Sequence, residues 1–165
     1  MGISAVASAQ ETGAQAPNVT VSNIGVRLGV AIPIDGTLRK VSNEFIGAGL
    51  EYTFDKQYFA NSYTYLAADW LGRTGNGGHG NLFPVTINQR IYTTAARQKV
   101  FYYTIGLGAF FVDTAGASDT TLGARGGIGY NFGPYLFGEV TGFVSTAATA
   151  GLRPSGVGFY LGYRF

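Results

Sequence analysis

No cysteine occurs among the 165 residues, so a disulfide frame, thiolate chemistry and cysteine-ligated metal sites are all excluded. Charge is sparse at 12% of residues, and the net charge of +2 is too small to argue for nucleic acid as a partner. There is a single histidine, and no Asp/Glu/His spacing suggests a zinc or calcium site. Hydrophobic residues reach 46%, yet they never run for the ~18 consecutive positions that a membrane-spanning helix needs. No helical period competes with the pattern described next.

What the chain has in quantity is glycine, 26 residues, and aromatics, 15%, arranged with a period of two. Eight segments alternate in this way and are predicted to be strands: about 24–34, 45–54, 63–71, 85–93, 100–112, 121–132, 135–144 and 156–165. In the first, Ile24, Val26, Leu28, Val30 and Ile32 share one face, and Gly25, Arg27, Gly29 and Ala31 share the other. The fifth sets Phe101, Tyr103, Ile105, Leu107, Ala109 and Phe111 against Thr104, Gly106 and Gly108. The third and fourth alternate least cleanly, and Gln89 falls on the apolar face of the fourth. Between the segments lie turn-rich stretches at 35–42, 55–62, 73–83, 94–99, 113–120 and 145–155, with a tight Gly133-Pro134 turn. Segments of ~9–11 residues suit tilted strands that cross a bilayer, and an even number of them returns both ends of the barrel to one side.

The charges indicate which face is which. Arg27, Glu51, Asp69, Arg90, Arg125, Glu139 and Arg164 lie within or near the ends of strands on the face opposite the aliphatic side chains, and none lies on an aliphatic face. A soluble barrel would turn the aliphatic face inward and leave a water-facing exterior of glycines with about one charge per strand. A membrane barrel does the reverse, with aliphatic side chains toward lipid and polar ones toward the lumen. The pairs Tyr52/Phe54, Phe101/Tyr103, Tyr130/Phe132 and Tyr163/Phe165 fall at strand ends that share one side, as an interfacial aromatic girdle does. An eight-stranded barrel is just wide enough for its interior to be filled by side chains. The seven charges are therefore expected to pair across the lumen, since a buried unpaired charge is costly. Glycines beside them leave room for Tyr65, Tyr92, Phe110, Phe143 and Tyr160. A gated ion path is the alternative.

The C-terminal segment reads Gly-Val-Gly-Phe-Tyr-Leu-Gly-Tyr-Arg-Phe, with Phe159, Leu161, Tyr163 and the terminal Phe165 on one face. It resembles the closing strand of a bacterial outer-membrane β-barrel. Over residues 24–165 the pattern is similar to the small eight-stranded barrels of the OmpA and OmpX type. The resemblance implies a polar interior plug, and it implies that the terminal aromatic strand is the signal read by the outer-membrane barrel assembly machinery. The peptidoglycan-binding domain of full-length OmpA proteins has no counterpart here, so an anchoring role is not supported.

Catalysis is the competing class. Lipid A deacylases of this architecture pair His-x-Ser with a carboxylate, because the hydroxyl needs a base and the base an orienter. His79 sits in Gly77-Gly78-His79-Gly80-Asn81 with no Ser two residues on, and no Asp/Ser group of the palmitoyltransferase type is expected around it. The same stretch lacks the Gly-Lys-Ser/Thr of a phosphate loop.

The sequence therefore predicts an all-β, eight-stranded, antiparallel up-and-down transmembrane β-barrel over residues 23–165. Residues 1–22 are read as a signal-peptide remnant and flexible lead-in, since Ala7-Ser8-Ala9 fits the cleavage pattern; a chance Ala/Ser run is the other reading. The expected role is a non-catalytic, charge-plugged barrel in the bacterial outer membrane, structural or engaged in surface interaction. Expected partners are outer-membrane lipid, the assembly machinery and, as a further option, a larger envelope complex. No cofactor is implied. The alternatives are a narrow pore, a small-hydrophobe channel of the OmpW kind, or an accessory subunit.

Overall fold

Period-two alternation over eight segments has one way to pair every backbone group without leaving an edge, and the chain takes it. In the computed structural model the strands β1 (Ile24–Pro33), β2 (Phe45–Thr53), β3 (Ser62–Gly75), β4 (Gly78–Tyr92), β5 (Val100–Thr114), β6 (Ala117–Asn131), β7 (Leu136–Ser145) and β8 (Ser155–Arg164) form a closed antiparallel barrel in sequence order. The barrel closes by β1 pairing with β8, from Gly25↔Arg164 to Pro33↔Gly156. The structure describes residues 23–54, 57–75, 78–95, 97–114, 117–148 and 152–165. The lead-in read over residues 1–22 lies outside the described residues.

Closure sorts the side chains as the alternation requires. Leu28, Ile105, Leu107 and Leu122 point away from the lumen and are 62–72% exposed, while Arg27 on the opposite face of β1 is 1% exposed. No described helix is long and apolar enough to cross a membrane; here the strands present the apolar belt.

Two expectations about the connections need correction. The stretches 73–83 and 113–120 are mostly strand, because β3 runs to Gly75, β4 starts at Gly78, β5 ends at Thr114 and β6 starts at Ala117. Asn81, His79, Thr74, Asp113 and Ser118 break the apolar alternation there, but the ladder continues past it, with Thr74↔His79 and Asp113↔Ser118 paired. Pro84 lies inside β4. The β3–β4 pairing is interrupted between Ala68↔Val85 and Leu71↔Leu82, where Pro84 has no N–H to donate. The second correction is a short helix, α1 (Gly36–Val41), within the stretch read as a turn. Asp35 caps it, its Oδ1 accepting from the backbone N–H of Thr37 at 2.8 Å and Leu38 at 3.0 Å.

The lumen is filled in three layers. At the end bearing α1, Leu38 from the helix and Leu152 from the β7–β8 connection pack with Phe45, Leu82, Phe110 and Val112. Asp35 ties the two connections together, its Oδ2 accepting from the Arg153 N–H at 3.3 Å. At the end bearing the chain termini of the barrel, Tyr92, Val100, Tyr102 and Phe137 form a second apolar cluster. The charged residues lie between.

Inward glycines are what allow large side chains into so narrow a space. A Cβ at Gly129 would overlap the ring of Tyr102, and one at Gly162 the ring of Phe137. Gly129→Ala should therefore lower stability by about 1–3 kcal/mol, the usual cost of overpacking, while Gly36→Ala, which meets nothing within 4 Å, should stay within ~0.5 kcal/mol. Urea midpoints of the folded barrel in lipid vesicles check the contrast.

Candidate functional site

The seven inward charges come from seven of the eight strands: Arg27 from β1, Glu51 from β2, Asp69 from β3, Arg90 from β4, Arg125 from β6, Glu139 from β7 and Arg164 from β8. All seven are buried, and the structure brings them together in two groups. In the first, Arg27 grips Asp69 with two donors, Nε to Oδ1 at 2.8 Å and Nη2 to Oδ2 at 2.6 Å. Its Nη1 lies 3.3 Å from Glu139 Oε1. Arg125 spans the same two carboxylates, reaching Asp69 Oδ2 at 3.0 Å and Glu139 Oε1 at 2.8 Å. Thr141 Oγ1 also donates to Glu139 Oε1, at 2.8 Å. This quartet is neutral. Gly49 makes it possible, because a Cβ there would overlap Asp69 Oδ1.

The second group has two arginines on one carboxylate. Arg90 Nη2 donates to Glu51 Oε2 and Arg164 Nε to Glu51 Oε1, each at 2.7 Å. One positive charge is left over, and it is met by aromatic faces instead of a second acid. The Arg90 guanidinium stands 4.2 Å from the Tyr65 ring centroid and 5.1 Å from that of Tyr102. The Arg164 guanidinium stands 3.9 Å from the Phe137 centroid. Desolvated cation–π contacts of this kind contribute on the order of 2 kcal/mol each. Asn131 anchors the trio to the β4–β5 turn: its Oδ1 accepts from Arg164 Nη1 at 2.9 Å and its Nδ2 donates to the Arg97 carbonyl at 2.6 Å. Arg97 itself lies over the Tyr63 ring, 4.0 Å from the centroid, and donates to the Tyr63 hydroxyl. Partial burial there pulls its guanidinium below the usual arginine range.

Sequence reasoning missed Thr141, Asn131, Tyr102 and Phe137 as members of this layer. Their parity along β5, β6 and β7 points them inward, but no charge marks them out. Beside the quartet, between Asp69, Arg125, Phe110 and Tyr160, is a void of about 10 Å³, room for one water at most.

Phe159, Leu161, Tyr163 and Phe165 of the C-terminal strand face outward and are 42–56% exposed. Tyr163 stacks on Tyr135 with centroids 5.6 Å apart and meets the edge of Phe165 at 5.3 Å. His79 differs from expectation. Strand pairing of Asn81 with Asp113 places its Nε2 3.7 Å from Asp113 Oδ2, and Ser118 lies opposite Asp113 on β6. The residues are far apart in sequence, so the grouping was invisible there. Both side chains of the pair are 51% exposed, and 3.7 Å is beyond a hydrogen bond. The rim site thus lacks the shielding and tight contact that acid–base chemistry uses. Among the described residues no cluster of three or more His, Cys, Asp or Glu gathers to hold a metal.

An eight-stranded transmembrane β-barrel with a paired charge layer across its lumen is the class defined by this geometry. No protein-family model and no curated protein matches the chain. Solved structures do. The N-terminal β-barrel domain of Pseudomonas aeruginosa OprF superposes with a TM-score of 0.55 at 13% identity, over 88% of this chain and 99% of that one. The Yersinia pestis attachment invasion locus protein Ail gives 0.55 at 15%, over 87% and 99%. Neisserial surface protein A gives 0.53 at 9%, over 88% and 99%. At these identities the likeness is one of fold.

Breaking the trio should be far more damaging than breaking a surface pair. Glu51→Gln leaves Arg90 and Arg164 facing each other with no counter-charge and should cost about 3–5 kcal/mol. Glu44→Gln removes the rim pair with Arg73, 3.3 Å apart and open to water, and should cost under ~1 kcal/mol. Equilibrium urea unfolding of the two variants side by side tests this.

Proposed function

We propose that this chain is a non-catalytic barrel of the bacterial outer membrane whose interior is closed by its charge layer, serving a structural or surface-interaction role. The observation that carries the reading is the mutual pairing of four arginines with three carboxylates inside a lumen already filled above and below by apolar side chains. A hydrated ion has no continuous path through such packing, which argues against the narrow-pore alternative. The apolar exterior, the aromatic girdle and the fold shared with outer-membrane barrels support the location. The open, loosely spaced His79–Asp113 pair supports a non-catalytic role.

Planar-bilayer conductance tests the plug. The wild type should be silent, and Arg125→Ala/Glu139→Ala, which removes half of the quartet, should leak. Steady, ion-selective openings of the wild type would replace this reading with the pore. The C-terminal strand is assigned to recognition by the assembly machinery. Phe165→Ala should then fold normally into thin synthetic bilayers but accumulate more slowly as folded barrel in cells, followed by the heat-modifiable shift on gels.

A further inference from the structure

Close to the aromatic girdle the outward face carries a polar group among apolar side chains. Thr64 of β3 and Gln89 of β4 point outward among Leu66, Ile87 and Ile91, and Ser62, on the same face of β3, is fully buried beside them. They bond to one another: Thr64 Oγ1 donates to Gln89 Oε1 at 2.8 Å, Gln89 Nε2 donates to Ser62 Oγ at 2.7 Å, and Ser62 Oγ donates to the Phe59 carbonyl at 2.9 Å. In these bonds the Gln89 amide uses one of its two N–H donors. A polar hydrogen turned toward hydrocarbon is costly unless something accepts it.

Beside this group the wall carries a trough of about 700 Å³. Ile87, Ile105 and Leu107 form its sides, Ala124 and Gly126 its floor, and Thr64 and Gln89 the end nearer the chain termini of the barrel. The floor is open at Gly126, where an added Cβ would meet only a backbone oxygen at 3.6 Å. Depth decides what fits. Gln89 lies two residues along β4 from Ile91, whose partner is the girdle residue Tyr103. On a tilted strand that is about 5 Å inward from the girdle, where headgroup gives way to hydrocarbon.

We propose that this trough seats one glycerophospholipid of the leaflet nearest the chain termini. Its acyl chain lies along Ile105 and Leu107 over Gly126 and Ala124, and an ester carbonyl accepts the unused Gln89 N–H. An ester is the acceptor a bilayer offers at that depth, and the trough is continuous with the apolar belt on either side. The inference rests on the membrane location proposed above.

The test is native mass spectrometry of the full chain, reconstituted into phosphatidylethanolamine/phosphatidylglycerol vesicles and released in mild detergent. The wild type should keep one phospholipid per barrel. Gly126→Leu fills the trough without touching the core and should keep none. Gln89→Leu loses the bond to the ester, together with those to Thr64 and Ser62, and should hold lipid roughly fivefold more weakly. Equal retention by all three proteins would overturn the proposal. So would a dimer that Gly126→Leu dissolves, since the occupant would then be a second copy. A barrel that inserts, by its heat-modifiable shift, but releases all lipid overturns only the trough. A chain that fails to insert overturns the membrane location and the trough together.

Discussion

Seven charged side chains sit in a lumen with almost no room for water, and the rest of the molecule is arranged around that constraint. Taking one ion out of water costs several kcal/mol even after relaxation, so each must find a partner. The quartet solves this by sharing: Asp69 and Glu139 are each bonded by both Arg27 and Arg125, so neither pair can move without disturbing the other. The trio has no second acid and uses the faces of Tyr65, Tyr102 and Phe137 instead. Tyr102 and Phe137 also belong to the packing that closes the end near the chain termini, which joins the electrostatic layer to the apolar seal below it.

The seal at the other end has a different origin. It is made by connections, with Leu38 carried on a short capped helix and Leu152 on the loop between β7 and β8, both dropped onto inward side chains of the wall. The quartet is thereby shielded from the side where the strands run longest. A charge layer between two apolar clusters fills the interior, and His79, Asp113 and Gln89 lie outside it on the rim and the outer wall.

The barrel was legible in the sequence because closure depends on parity, and parity survives without any knowledge of partners. The inward set from Arg27 to Arg164 could be read as the face opposite the aliphatic side chains of each strand. Which charge meets which could not be, since Arg27 reaches across 112 positions to Glu139 and Arg164 across 113 to Glu51. The ends of β3 to β6 were hidden because alternation reports burial in lipid, and those strands continue into water with polar side chains on the outward face. Helix α1 was hidden because six residues are too few for a helical period to show; only the Asp35 cap marks its start. The proximity of His79 to Asp113 arises from the same unseen extension of the strands.

A double-mutant cycle on Arg27 and Asp69 tests the central claim most directly. The wild type, Arg27→Met, Asp69→Asn and the double variant would be unfolded in urea from lipid vesicles, and the coupling free energy read from the four unfolding curves. The account predicts a coupling of about 2 kcal/mol or more, with the double variant recovering much of what either single change loses. Additive losses within ~0.5 kcal/mol would mean that the pair is a bystander and that apolar packing alone holds the lumen closed.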